Sequence, residues 1–306
     1  MFKKLKRGDT IGVVGASNSI KRETKENTFE RAKKLFLEYG YKLKFSDNVN
    51  KDYYGMAGEA REKARELNEM FQDNSVDAII ILDGGDSCNT IIDYLDYKMI
   101  KKHPKPLMGY SDITVLLETI YKKTGMITFH GPAFLSFGED YGQKCMDEFI
   151  NTFEKGLFDG FLNSTLKVIR KGDCKGKMIG TNLECTLYIV GTKYFPNMKN
   201  NILLAERYIT TPSETYNHFY QLKQKGILDK MSGLLIGYNY SFQSLESGRK
   251  TDIQMEDIAL EVCKDYKFPI YKCETFGHMI PNVIIPIGSK CDISDGEIKL
   301  KEKIFF

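Results

Sequence analysis

Before residue 135 the chain repeats one unit: a short apolar run, a small-residue turn, then a stretch of helical period. Asp9–Ser17 reads as a buried strand closing in a Gly/Ser turn. "KENTFERAKKLFLEYG" places Phe29, Ala32, Leu35 and Phe36 on one helical face, with Gly40 as its stop. "YKLKFSDNV" supplies a second strand, and "GEAREKARELNEMFQDN" a charged amphipathic helix carrying Ala60, Ala64, Leu67 and Phe71. Val76–Leu82, "VDAIIIL", is continuously apolar, as expected of a central parallel strand covered on both faces. "DGGDSCNTIIDYLD" then turns on two glycines into a helix. "KPLMGY", the Ser111 turn with its helix, and "MITFHGP" complete the series. Strands alternating with helices imply an α/β fold: an open parallel sheet with right-handed crossovers. Functional crevices in such sheets lie beyond the carboxyl ends of the strands. Three loops fall there: Gly15–Ser19, Gly84–Asn89 and Gly109–Asp112.

The pattern changes after Phe134. A helical stretch, "SFGEDYGQKCMDEFINTFEKGLF", leads into Gly-rich, strand-like sequence, and the domain boundary is expected near residue 162. Residues 1–162 then form the α/β domain and 163–306 a smaller, mixed, β-rich one. The second half combines "NILLAERYI", a helix at "PSETYNHFYQLKQKG", strands at "GLLIGYN" and "PNVIIPIGSKCDI", and a hairpin-like closing edge, "GEIKLKEKIFF".

Bulk properties exclude several function classes. With 44 basic and 41 acidic residues the net charge is +3, and no basic stripe suits a nucleic acid. The basic start "MFKKLKRGDTIGVVGAS" lacks the apolar core of a secretory leader, and no apolar run reaches the roughly 18 residues of a membrane helix. Seven scattered cysteines, odd in number and without CxxC, suit a cytoplasmic chain with reduced thiols. The same scatter, with no HExxH, speaks against a metal site. Gly84-Gly85 has neither GK[ST] nor GxGxxG spacing, so a nucleotide cofactor gains no support.

Ser111 stands where a strand becomes a helix. "GYSDI" resembles a nucleophile elbow with Ile113 in place of the second glycine; the same serine would also serve as a helix cap. A nucleophile needs a base, a group orienting that base, and N–H donors for the oxyanion. Of four histidines, His103 in "KKHPKP" and His218 on a charged helix are expected to face water. His130 ends a strand near the crevice. His278 in "FGHMIPN" is either a satisfied core residue or a loop residue doing chemistry. Glu206 ends the apolar run Ile202-Leu203-Leu204-Ala205; it orients a base or pairs with Arg207. Gly84-Gly85 offers N–H groups to an oxyanion or a phosphate.

Together "GGDSCNTIIDYLDY", "PLMGYSDITVLLETIYKKTGMITFHGP", "NLECTLYIVGTKYFP", "NILLAERYITTP" and "FGHMIPNVIIPIG" resemble, in order, the LD-carboxypeptidase family of serine peptidases. Within it they look most like the microcin C immunity branch. The resemblance implies a flavodoxin-like N-terminal domain and a Ser-Glu-His triad at Ser111, Glu206 and His278. It also implies backbone oxyanion donors at Asp112 and at Gly85 or Asp86. The site would lie in an interdomain groove, in a homodimer, with no cofactor. Gly84, Asp86 and Asn182 would border the substrate. That substrate is a small peptide or peptide-like molecule cleaved near its C-terminus: an L,D-muropeptide or a peptidyl- or aminoacyl-nucleotide. The alternative is a non-catalytic binding protein on the same scaffold. The chain departs from the family at Asp86, where an aromatic residue usually follows the diglycine. Tyr194 and Phe195 would stack on a nucleobase or sit in the core.

Overall fold

A computed structural model describes residues 1–21, 25–243 and 250–306. Five strands, β1 (Thr10–Val14), β2 (Lys42–Phe45), β3 (Ala78–Ile81), β4 (Leu107–Gly109) and β5 (Thr128–His130), lie in the order β2–β1–β3–β4–β5, all parallel. This is the flavodoxin-type order, which reverses direction between β1 and β3 and opens a crevice there. Every residue of β3 is buried, which accounts for its unbroken apolar sequence.

Helices α1 (Glu26–Glu38), α2 (Ala60–Gln72), α3 (Tyr97–Lys102), α4 (Thr114–Thr124) and α5 (Gly142–Phe149) accompany this sheet, and α6 (Asp159–Leu162) follows with its Phe161 buried in the core of the second sheet. Phe29, Ala32 and Phe36 form the buried face of α1, and Phe36 packs against Phe137 and Phe134 at 4.7 and 5.5 Å between ring centroids. The helix expected after the diglycine is instead a 3-10 helix, Cys88–Tyr94. Thr90 explains the tightening, because its N–H and its hydroxyl both donate to the Ser87 carbonyl (3.2 and 2.7 Å).

The second unit contains β6 (Leu166–Arg170), β7 (Cys174–Asn182), β8 (Ile202–Glu206), β9 (Ile209–Thr210), β10 (Gly233–Tyr238), β11 (Ser241–Phe242), β12 (Ile270–Gly277), β13 (Ile285–Ile287), β14 (Lys290–Ser294) and β15 (Glu297–Leu300). Its main sheet runs β15–β14–β7–β8–β10–β12–β6. The central strands β7, β8, β10 and β12 are parallel, and antiparallel strands close both edges. Helices α7 (Leu183–Ile189), α8 (Pro212–Gln224) and α9 (Met255–Val262) belong here. α8 starts on a capping box between Thr211 and Glu214 with Pro212 in its first turn.

The chain crosses back over the expected boundary at 162. β13 leaves the second unit and pairs antiparallel with β5 at the edge of the first sheet. Ile304 and Phe305 fill the first core, and Phe2 donates its N–H to the Ile304 carbonyl at 2.8 Å. The expected closing edge is therefore two features: a β14–β15 hairpin, and a tail that joins the N-terminus. No helix among the described residues is long and apolar enough to cross a membrane. All seven cysteines are buried and unpaired.

α4 packs against both units, meeting β4 and β5 on one side and β7 and α7 on the other. Glu118 on α4 is fully buried, and that burial pushes its carboxyl up to about 8. The folded state therefore holds this proton more tightly than the unfolded chain. Its stability should fall as pH rises from the ordinary carboxylate range toward 8, by at most ~1.4 kcal/mol per pH unit. Glu118→Gln removes the titration. In thermal melts at pH 5 and pH 8 the variant should gain on the wild type at pH 8, by a few kcal/mol on the same scale. Parallel melting curves at the two pH values would refute this.

Candidate active site

Both sheets aim the carboxyl ends of their parallel strands at one cleft. From the first sheet come the loops after β1, β3 and β4; from the second come the ends of β7, β8 and β12. Ser111 follows β4 with φ +65°, in the left-handed region that a residue with a Cβ rarely enters. It opens a 3-10 turn, Ser111–Ile113, that feeds α4, and no side-chain cap bond is made at the start of the turn or of α4. The cap reading of Ser111 thus has no support in the hydrogen bonding. Its Oγ lies 3.0 Å from His278 Nε2 instead.

His278 Nδ1 lies 2.8 Å from Glu206 Oε2. Glu206 is the last residue of β8 and is fully buried. Arg207, its suggested ion-pair partner, bonds Glu184 instead. The β7–β8 register places Asn182 opposite Glu206, and the Asn182 amide donates to Glu206 Oε1 at 3.0 Å. Asn182 Oδ1 accepts from the Cys185 N–H at 3.1 Å, and its own N–H donates to Thr114 Oγ1 at 3.3 Å. Asn182 lines the cleft, but both ends of its amide are already engaged.

The imidazole of His278 is flanked by Tyr110 and Tyr208, with ring centroids 5.1 and 5.0 Å away. Asn282 holds the loop, its Oδ1 accepting from the Gly277 N–H at 2.7 Å and lying 3.3 Å from His130 Nε2. His130 is fully buried, and burial lowers its pKa to about 4, so it remains neutral behind the cleft. His218, expected to face water, is half-buried on α8; burial and the nearby Arg207 guanidinium push its pKa down. Neither His103 nor His218 lines the cleft.

The diglycine turn closes over Ser111. A Cβ on Gly84 would stand 2.8 Å from Ser111 Cβ and 3.1 Å from its Oγ. Gly85 has φ +159°, and a Cβ there would run into the Ser17 and Asn18 side chains. Only glycine lets this backbone approach so closely. Asp86 is exposed and lines the cleft, while the cap position of the 3-10 helix belongs to Ser87. Asp112 is buried. Its Oδ2 accepts from Ser17 Oγ (2.6 Å) and from the Ser87 and Cys88 N–H groups (both 3.1 Å). Burial nonetheless raises its carboxyl to about 6.

The cleft measures about 330 Å³, and its walls include Tyr188, Tyr208, Glu184, Arg207 and Met279. Tyr194 and Phe195 lie elsewhere: the Tyr194 hydroxyl bonds Asp93, and both rings pack in a small core cluster. Sequence reasoning missed Ser17, Asn282 and the bracing role of Asn182. For Asn282 the only signal was its place in the quoted "GHMIPN". No group of three or more His, Cys, Asp or Glu side chains suited to a metal ion occurs among the described residues.

The chain has relatives. MccF, the microcin C7 self-immunity protein of Escherichia coli, is 29% identical over 97% of this chain and 94% of its own. A Bacillus subtilis protein named as a probable murein peptide carboxypeptidase is 28% identical over 96% of this chain and 92% of its own. The structure of MccF in complex with aspartyl sulfamoyl adenosine superposes with a TM-score of 0.88 at 26% identity, covering 100% of this chain and 99% of that one. Residues 11–131 match the LD-carboxypeptidase N-terminal domain and residues 175–293 the LD-carboxypeptidase C-terminal domain, so the loops that build the cleft fall within the two matched stretches and the chain belongs to the LD-carboxypeptidase family.

Proposed function

We propose that this protein is a serine peptidase that cleaves an amide bond near the C-terminus of a small peptide or peptide-like substrate. The observation that carries the reading is the hydrogen-bonded chain Ser111 Oγ–His278–Glu206, at 3.0 and 2.8 Å. Ser111 Oγ attacks the carbonyl carbon and its proton passes to His278 Nε2. Glu206 holds the Nδ1–H tautomer and stabilises the imidazolium. The oxyanion receives N–H donors from Asp112 and from the turn at Gly85 or Asp86. His278 then gives its proton to the leaving nitrogen as the C–N bond breaks. Water, deprotonated by the same imidazole, releases the acyl group from Ser111.

Aminoacyl- or peptidyl-nucleotides are the substrate class best supported. MccF has been captured with aspartyl sulfamoyl adenosine and with glutamyl sulfamoyl guanosine. In this chain Tyr188 lines the cleft while 46% exposed, an aromatic face available to a planar base, whereas Tyr208 is stacked on Tyr240 and lies beside His278. The muropeptide reading rests on the Bacillus relative. Mass-spectrometric assay against aminoacyl sulfamoyl adenylates and L,D-tetrapeptides tests both. Turnover of the first panel supports the favoured class, and turnover of the second alone replaces it. Labelling of Ser111 by a fluorophosphonate separates a peptidase from a binder.

Asp86 is the proposed specificity element. An exposed carboxylate beside the oxyanion turn disfavours an anionic group and favours an amine. Asp86→Tyr should change the kcat/KM ratio of amine-bearing over carboxylate-bearing substrates by roughly tenfold, since solvent weakens a near-surface charge interaction. The melting temperature should stay within a degree or two. A uniform loss over all substrates with a lowered melting temperature would sink the claim.

A further inference from the structure

Behind the diglycine turn lies a buried polar cluster that the peptidase chemistry does not use. Lys63, on α2, has no exposed surface, and its ammonium donates to the Ser87 carbonyl (3.1 Å) and to Ser87 Oγ (2.7 Å). An isolated buried ammonium is costly, so such a group calls for a counter-charge. Ser87 leads to one. Its Oγ lies 3.4 Å from Ser17 Oγ, its N–H donates to Ser17 Oγ at 3.2 Å and to Asp112 Oδ2 at 3.1 Å, and Ser17 Oγ donates to Asp112 Oδ2 at 2.6 Å.

The donor directions are fixed by the two ends. An ammonium only donates and a carboxylate only accepts. Ser87 Oγ therefore accepts from Lys63 and turns its proton toward Ser17, whose own proton goes to Asp112. The hydroxyls form an oriented bridge between a buried cation and a buried anion, each bond polarising the next. The ends of the bridge matter for function. Asp112 directly follows the nucleophile, and Ser87 directly follows Asp86 on the turn. The bridge thus spans the two backbone segments that supply the oxyanion donors.

We propose that Lys63 is a positioning residue of the peptidase site: through Ser87 and Ser17 it sets the register of the diglycine turn against the Asp112 N–H, and so the geometry of the oxyanion hole. This rests on the Ser111 reading given above. The Lys63 and Asp112 charges act on each other across this bridge, and the Asp112 carboxylate is held by its three donors, Ser17 Oγ and the Ser87 and Cys88 N–H groups. The titratable groups acting on this carboxyl are Lys63 from α2, Asp86 and Cys88 from the turn, and Cys185 from α7. Of these, Lys63 alone is cationic.

The test uses the full chain and a fluorophosphonate, whose phosphonyl oxygen occupies the oxyanion hole as Ser111 is labelled. Lys63→Met removes the cation and both donors; Ser87→Ala is a smaller change that removes only the hydroxyl bridge. The second-order labelling rate of Lys63→Met should fall by roughly 30-fold and that of Ser87→Ala by roughly tenfold, the range expected for a displaced oxyanion donor. The double variant should be no slower than Lys63→Met, because the two residues act as one unit. The acid limb of the Lys63→Met rate profile should move to higher pH, since Asp112 without its cation takes up a proton sooner. A merely structural role would lower the melting temperature and scale the rate equally at every pH. Wild-type labelling by folded Ser87→Ala, or by folded Lys63→Met with an unmoved acid limb, overturns the proposal and leaves the triad standing. Failure of the wild type to label at Ser111 overturns both.

Discussion

Ser111→Ala should purify as a folded protein whose turnover is lower by a factor of ~10⁴ or more. The substitution removes one oxygen and keeps the Cβ, so the contact of Gly84 with that Cβ is retained. Alanine and serine bear similar cost at the left-handed φ of +65° that this position imposes. His278 loses a partner on Nε2 but stays anchored to Glu206 through Nδ1. A melting temperature within a few degrees of wild type, together with lost turnover, is therefore the expected pair of results. Near-normal turnover from the folded variant would remove Ser111 from the mechanism, whatever the substrate.

Glu206→Gln should come close to that effect, at about 10⁴-fold in kcat, by a different route. Glu206 is fully buried and receives two donors: the Asn182 amide on Oε1 and His278 on Oε2. A glutamine of the same shape keeps one carbonyl oxygen, which suits Asn182. Its NH₂ then faces His278 Nδ1 and donates to it. The imidazole proton moves to Nε2, the nitrogen that must accept from Ser111. The variant should thus keep its fold and bind substrate with little change in KM while losing kcat. A kcat within tenfold of wild type would show that Glu206 is structural and that His278 finds its tautomer without it.

The N-terminal half was legible because its periodicities are local. An apolar run with no polar face, as in β3, admits few placements, and the helix faces of α1 and α2 follow from residue spacing. Ser111 was legible as a position but not as a conformation. No glycine marks its left-handed φ, which the close packing of Gly84 and the His278 bond accompany. Glu206 and His278 lie 72 residues apart, and His278 lies 167 residues from Ser111, so no local pattern joins them; family resemblance did. His218 was misplaced because a charged helix suggested an exposed face, whereas it lies half-buried within reach of the charges of Arg207 and Glu184. The return of β13 to the first sheet was invisible for a related reason. "VIIPIG" announces a strand and says nothing of its partner.

That return has a consequence for how the protein comes into being. During synthesis the N-terminal unit emerges first, with its Ser111 loop and helices α1–α5 complete. Its β5 edge nevertheless stays open until Ile285–Ile287 have been made, and its core lacks Phe305 until that residue has been made. Pairing strands so distant in sequence is slow, because loop closure must precede the contact. An unpaired edge is also a template for other chains. Until then the N-terminal unit keeps a strand edge exposed, and the cleft is complete only once His278 and β13 have been made. A chain that stops before His278 should therefore be an inert fragment and not a loose, unselective peptidase.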